Sequence, residues 1–184
     1  MSVEYCVVRV ASQTFEQLQQ PGLLQDLMDE FHTPQSSAYQ ERADARDSIR
    51  GTPVAVPAIL RMLYFDEFTT SLLVDFLDES SAMFKALAGW GEAHILAGVR
   101  YGYGEIAYYL PDEVKTVSRE LDAYPEALLE ERLQQRVDTF RIAAAGYFED
   151  DQAIRAHQRL FAGFLRRFYE EAARDGNFVL LLTV

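Results

Sequence analysis

The chain has 184 residues, 49% of them hydrophobic, and sets 17 Lys and Arg against 29 Asp and Glu for a formal net charge of −12. That acid surplus repels phosphate backbones and anionic membranes, which argues against nucleic acid or lipid as partners and makes a basic protein the natural complement. The length suits one domain that buries roughly two thirds of its unfolded surface without metals or disulfides, and the lone Cys6 reads as a buried, inert thiol.

The start, Met-Ser-Val-Glu-Tyr, has no basic segment followed by an apolar signal core, and no run approaches the ~18 apolar residues of a membrane span, so a cytoplasmic chain is expected. Val3 to Val10 is rich in β-branched residues and carries Cys6, Val7 and Val8 in succession, which predicts a strand buried on both faces. After Pro21-Gly22, the residues Leu23, Leu24, Leu27, Met28 and Phe31 repeat at helical spacing, and His32-Thr33-Pro34 ends that helix. Gln35 to Gly51 is polar and mixed in charge, a mobile loop or a solvated helix.

Pro53 and Pro57 among valines predict an extended approach to a short helix near Ile59-Leu60. Phe65, Phe68, Leu72, Leu73, Phe76 and Leu77 then define one face of a core helix. Its other side and end gather Asp66, Glu67, Asp75, Asp78 and Glu79, either a solvated face or a surface for a basic partner. Met83, Phe84 and Leu87 add a helical turn or two before Gly89-Trp90-Gly91. Trp90, Glu92, His94, Tyr101 and Tyr103 crowd the glycine-containing stretch that follows, read as a loop suited to forming a pocket.

Gly102 and Gly104 free the backbone ahead of Ile106, Tyr108 and Tyr109, predicting a strand over 105–110. Pro111 suits the first position of a helix, and Asp112 and Glu113 place negative charge on its first turn. That helix buries Val114, Val117 and Leu121 and stops at Tyr124-Pro125, where a second begins with Leu128, Leu129, Leu133 and Val137. Asp150 or Asp151 caps a last long helix with a stripe of Ile154, His157, Phe161, Phe164, Leu165 and Phe168; Arg155, Arg159, Arg166 and Arg167 lie largely off it. Gly176 permits a left-handed exit into Phe178 to Val184, an almost wholly apolar strand that needs cover on both faces. The three strands, near 3–10, 105–110 and 178–184, are expected to join in one small mixed sheet wrapped by helices, an α+β fold in a single domain.

Gly-Tyr-Gly at 102–104, a short aromatic strand and Leu-Pro-Asp-Glu-Val at 110–114 also resemble the YfbM-like bacterial family, whose common form reads Gly-Tyr-Gly-Pro-Ala-Arg-Tyr-Leu-Thr-Pro-Glu-Glu-Val. The resemblance continues through the two proline-led helices, Tyr147-Phe148, the long amphipathic helix, Asp175-Gly176 and the last strand, so it is specific from Arg100 onward. Upstream it holds in outline. Where relatives carry a Trp-His-x-x-His-Phe-Leu-Leu helix this chain has Asp66-Glu67-Phe68-Thr69-Thr70-Ser71-Leu72-Leu73, and no catalytic residue is transferred. The family has no settled biochemical function, so the resemblance implies a fold and leaves the activity open.

Gly102 to Ala107 matches a Gly-x-Gly-x-x-Ala dinucleotide fingerprint, but it opens a strand where that fingerprint must open a helix. Nucleophile-elbow, zinc-protease and phosphate-loop motifs are absent, and His32, His94 and His157 lack ligand spacing. His157 falls on an apolar stripe as a core histidine would; His94 is the better candidate because it sits in the aromatic, glycine-containing stretch, where Glu92 or His94 could serve as acid or base. No cofactor, metal or catalytic residue is predicted. The expected function is that of an acidic protein-binding domain, most concretely an immunity protein neutralising a basic toxin domain; the alternative is a small-molecule-binding domain or enzyme using the Trp90 to Tyr103 stretch.

Overall fold

The computed structural model describes residues 5–19, 61–65, 81–89, 93–101, 104–131, 134 and 151–183. Within them lie β1 (Tyr5–Val10), α1 (Ser12–Leu18), β2 (Arg61–Phe65), α2 (Ala82–Ala88), β3 (His94–Tyr101), β4 (Gly104–Tyr109), α3 (Pro111–Ala123), α4 (Asp151–Arg174) and β5 (Phe178–Thr183). The fold class is α+β. The most apolar strand takes the middle: the sheet order is β2-β1-β5-β4-β3, and β5 pairs with β1 on one side and β4 on the other.

Two features correct the sequence expectation. Among the described residues the sheet has five strands where three were expected, and every pairing among them is antiparallel, where a mixed sheet was expected. Arg61–Phe65, expected as the end of an extended approach and the first turn of a helix, is an edge strand whose Leu63 stands opposite Val7. The rest of the predicted core helix, with Asp66, Glu67, Asp75, Asp78 and Glu79, and the predicted helix over Leu23 to Phe31 lie outside the described residues.

Strand alternation assigns the two faces. Val7, Leu181 and Val179 point to the helical side with Tyr109, because Val7 pairs with Leu181 and Tyr109 with Val179. Cys6, Val8, Val10, Leu180 and Leu182 point to the opposite side, and all of these are buried. Both outer strands of the sequence are thus covered on both faces, as their unbroken apolar runs demand. On the second face α1 lays Phe15 against the sheet, stacked 4.0 Å from the Phe178 ring and tilted 4.8 Å from Tyr108.

The helical face carries the main core. Val114, Val117 and Leu121 of α3 recur at helical spacing and meet Ala162, Leu165, Phe168, Tyr169 and Ala172 of α4, with Met83, Phe84 and Leu87 of α2 alongside. Each of the Val, Leu, Met and Phe side chains among them contributes roughly 1.5–3 kcal/mol when fully buried.

Polar contacts lock the ends of α2 and α3. Ser81 caps α2, its Oγ accepting the Phe84 N–H at 3.1 Å. At the other end Gly89 takes φ 65° and donates to the Lys85 carbonyl, while the hydroxyls of Tyr109 and Tyr169 donate to the carbonyls of Lys85 and Ala86 at 2.9 and 2.7 Å. Arg166 of α4 closes α3 in the same manner: Nε donates to the Leu121 carbonyl and Nη2 to the Tyr124 carbonyl, each at 3.1 Å, and Nη1 pairs with Glu126. An arginine that sequence periodicity places off the apolar stripe therefore serves as the C-terminal cap of a neighbouring helix.

Candidate functional site

Pro111 starts α3, which leaves Leu110 at the N-cap with an apolar side chain that offers no acceptor to the first helical amides. Glu113 supplies the reciprocal half of a capping box, its Oε2 accepting the Leu110 N–H at 2.8 Å. A carboxylate fixed in that way has one oxygen left over. Oε1 lies 2.9 Å from Nε2 of His94, at the start of β3. His94 stands opposite Tyr108 in the β3–β4 ladder, with ring centroids 5.3 Å apart and planes tilted by 30°. A row of rings, Phe178, Phe15, Tyr108 and His94, thus crosses the second face of the sheet and ends at a carboxylate.

An imidazole oriented by a carboxylate is a proton-transfer element in its simplest form. Here both members are wet: the His94 and Glu113 side chains are 44% and 35% exposed. Exposure screens the pair, and its coupling is expected below about 1 kcal/mol. Next to it, Asp112 is held below the ordinary carboxylate range by the hydrogen bond from Lys115 Nζ at 2.8 Å and by the lysine's charge.

The stretch from His94 to Tyr101 is a strand at the sheet edge, which corrects the loop expected there. It departs from regular pairing in its middle. Ile95 stands opposite Ala107 and Arg100 opposite Glu105, so Leu96 to Val99 bulge out against Ile106 alone. Gly98 supplies the positive φ, 77°, that the bulge uses. Of the five pocket candidates, His94 has its side chain described; Tyr101 closes β3 opposite Gly104 with its side chain outside the description, as are Trp90, Glu92 and Tyr103 altogether. The residue that sequence reasoning missed is Glu113. Its signal was an acid three residues after the N-cap, which announces a capping role but not the histidine it reaches.

Glu113 therefore carries two jobs and His94 one, and substitutions should rank accordingly. Glu113→Ala is expected to cost about 0.5–2 kcal/mol in urea denaturation, the value of a lost N-terminal cap, and His94→Gln less than about 0.5 kcal/mol. The opposite ranking would show that the imidazole contact, and not the cap, is what Glu113 provides.

The sheet order, the helices packed on one face and α1 on the other define a small antiparallel α+β fold. Among solved structures it is similar to the crystal structure of YfbM from Escherichia coli, a protein of unknown function, with a TM-score of 0.57, 18% sequence identity and 99% of each chain covered. A likeness at that identity shows a YfbM-like fold and nothing of activity. No family model matches the sequence, and no curated protein matches it. Among the described residues no helix is long and apolar enough to cross a membrane.

Proposed function

We propose that this chain is a protein-binding domain that acts by association and not by turnover, most concretely an immunity-type antidote that covers a basic toxin domain. The observation that supports this reading is the fate of the positive charges. Arg9 pairs with Glu171, Lys85 with Glu120, Lys115 with Asp112, Arg159 with Glu130, Arg166 with Glu126 and Arg174 with Asp175. These cations are spent within the fold, and the net charge of −12 is left to face whatever approaches. Such a field accelerates encounter with a cationic surface and rejects anionic ones. The acidic run Asp66, Glu67, Asp75, Asp78 and Glu79 is the segment we assign to first contact.

The experiment is co-purification with the product of the adjacent gene, followed by a growth-rescue assay. A stable complex whose on-rate falls steeply with added salt, together with rescue, is the expected result. Absence of both a complex and rescue overturns the proposal. The His94–Glu113 pair favours the second reading, a small-molecule site on the sheet edge. A metabolite that shifts the His94 ring resonances without any protein partner would move the assignment there.

A further inference from the structure

Between α3 and the last turns of α4 runs an open groove of about 660 Å³, remote in role from both the capping carboxylate and the acidic run. Ser118, 7% exposed, and the half-buried Ala173 form its base. Most of its charged lining is already committed: Lys115 to Asp112 at 2.8 Å, and Arg174 to Asp175 at 2.9 Å. Two groups are not. Arg119 on α3 has its guanidinium steered by the Lys115 carbonyl at 3.3 Å and the Thr116 hydroxyl at 3.1 Å, and makes no ion pair among the described residues. Glu170 on α4 likewise makes no close ion pair among the described residues, although its charge acts on Arg174 from farther off. The Ser118 hydroxyl, for its part, makes no hydrogen bond among the described residues and is not sealed from the groove.

A groove with a cation free of ion pairs on one wall, a carboxylate free of close ion pairs on the other and an unpartnered hydroxyl between them is complementary to a molecule carrying both charges. We propose that it binds a small zwitterion with one carboxylate and one ammonium group, an amino acid or a short peptide. The carboxylate takes the Arg119 fork and the Ser118 hydroxyl, and the ammonium takes Glu170. A simple anion would meet Glu170 and the field of an acidic protein; a simple cation would leave Arg119 and Ser118 unmatched. The volume lies within the range of small-molecule sites. This assignment stands independently of the protein-binding reading.

The test is calorimetric titration of the full chain with a panel of free amino acids and of di- and tripeptides, each with N-acetylated and C-amidated counterparts. Zwitterions are expected to bind with Kd values from about 10 μM to about 1 mM, and capping either end to weaken binding about tenfold or more. The two arms separate an amino-acid site from a peptide site by length. Arg119→Gln should abolish the preference for the free carboxylate, Glu170→Gln the preference for the free ammonium, and Ser118→Ala should weaken the whole panel. Arg119 and Glu170 are exposed, so those two variants keep the fold. The proposal is overturned if no panel member binds at about 10 mM, if capped forms bind as well as free ones, or if both charge variants bind like the wild type.

Discussion

Gly89→Ala should destabilise the protein by about 2–5 kcal/mol, more than its size suggests. Two costs add. The position has φ 65°, a left-handed conformation that costs an L-residue with a Cβ about 1–2 kcal/mol. A Cβ there would also run into Leu181 Cδ1 and sit 2.8 Å from the Ala93 Cβ, and overpacking of that kind costs about 1–3 kcal/mol. Gly176→Ala is the control. Its φ is 64°, but nothing lies within 4 Å of the added methyl, so it should show the conformational cost alone. Urea denaturation of both variants isolates the steric share, and the double variant Gly89→Ala with Leu181→Ala should lose less than the sum of its parts. Equal costs at the two glycines would mean that α2 does not approach β5 as closely as the structure has it.

How much of this was legible in sequence follows from which residues carry local signals. Pro111 with Asp112 and Glu113 marked the start of α3, and Tyr124-Pro125 marked its end; the helix runs Pro111–Ala123. The unbroken apolar runs of β1 and β5 announced strands covered on both faces, and Gly176 adopts the left-handed exit expected of it. β3 was illegible because its bulge destroys the alternation by which strands are recognised: His94 and Ile95 are both exposed, and the buried Leu96 and Val99 fall three apart, a spacing that belongs to no regular strand. β2 was obscured by Phe65, which extends a helical pattern forward into a strand. The site was half legible. His94 stood out because Trp90, Glu92, Tyr101 and Tyr103 crowd the glycine-containing stretch around it; Glu113 is 19 residues away and reaches it only because an edge strand and a helix start meet at one end of the sheet. Such meetings are tertiary, and no window of sequence contains them.

Tyr169 is the buried group whose removal should be felt most along α4. It is wholly buried, and its hydroxyl donates to the Ala86 carbonyl, one of the last carbonyls of α2 and therefore without an intrahelical donor. Tyr169→Ala empties a ring-sized space in the core and is expected to cost about 3–5 kcal/mol. Tyr169→Phe keeps the ring and orphans the carbonyl, which should cost about 1–3 kcal/mol. The phenylalanine variant also separates this residue from other tyrosines in alkali. Burial, assisted by Tyr109, pushes the Tyr169 phenol well above its ordinary value of 10.0. In the native state the neutral phenol is thereby retained, while in the unfolded chain it ionises near 10.0. Its pH-dependent stabilisation is complete below that value and is lost as pH rises toward the raised native value. The stability gap between wild type and Tyr169→Phe should therefore be constant from about pH 7 to about pH 9 and shrink above about pH 10. A gap that held constant into strong alkali would show that the Tyr169 phenol ionises as readily inside the fold as outside it, which a ring sealed against α2 cannot do.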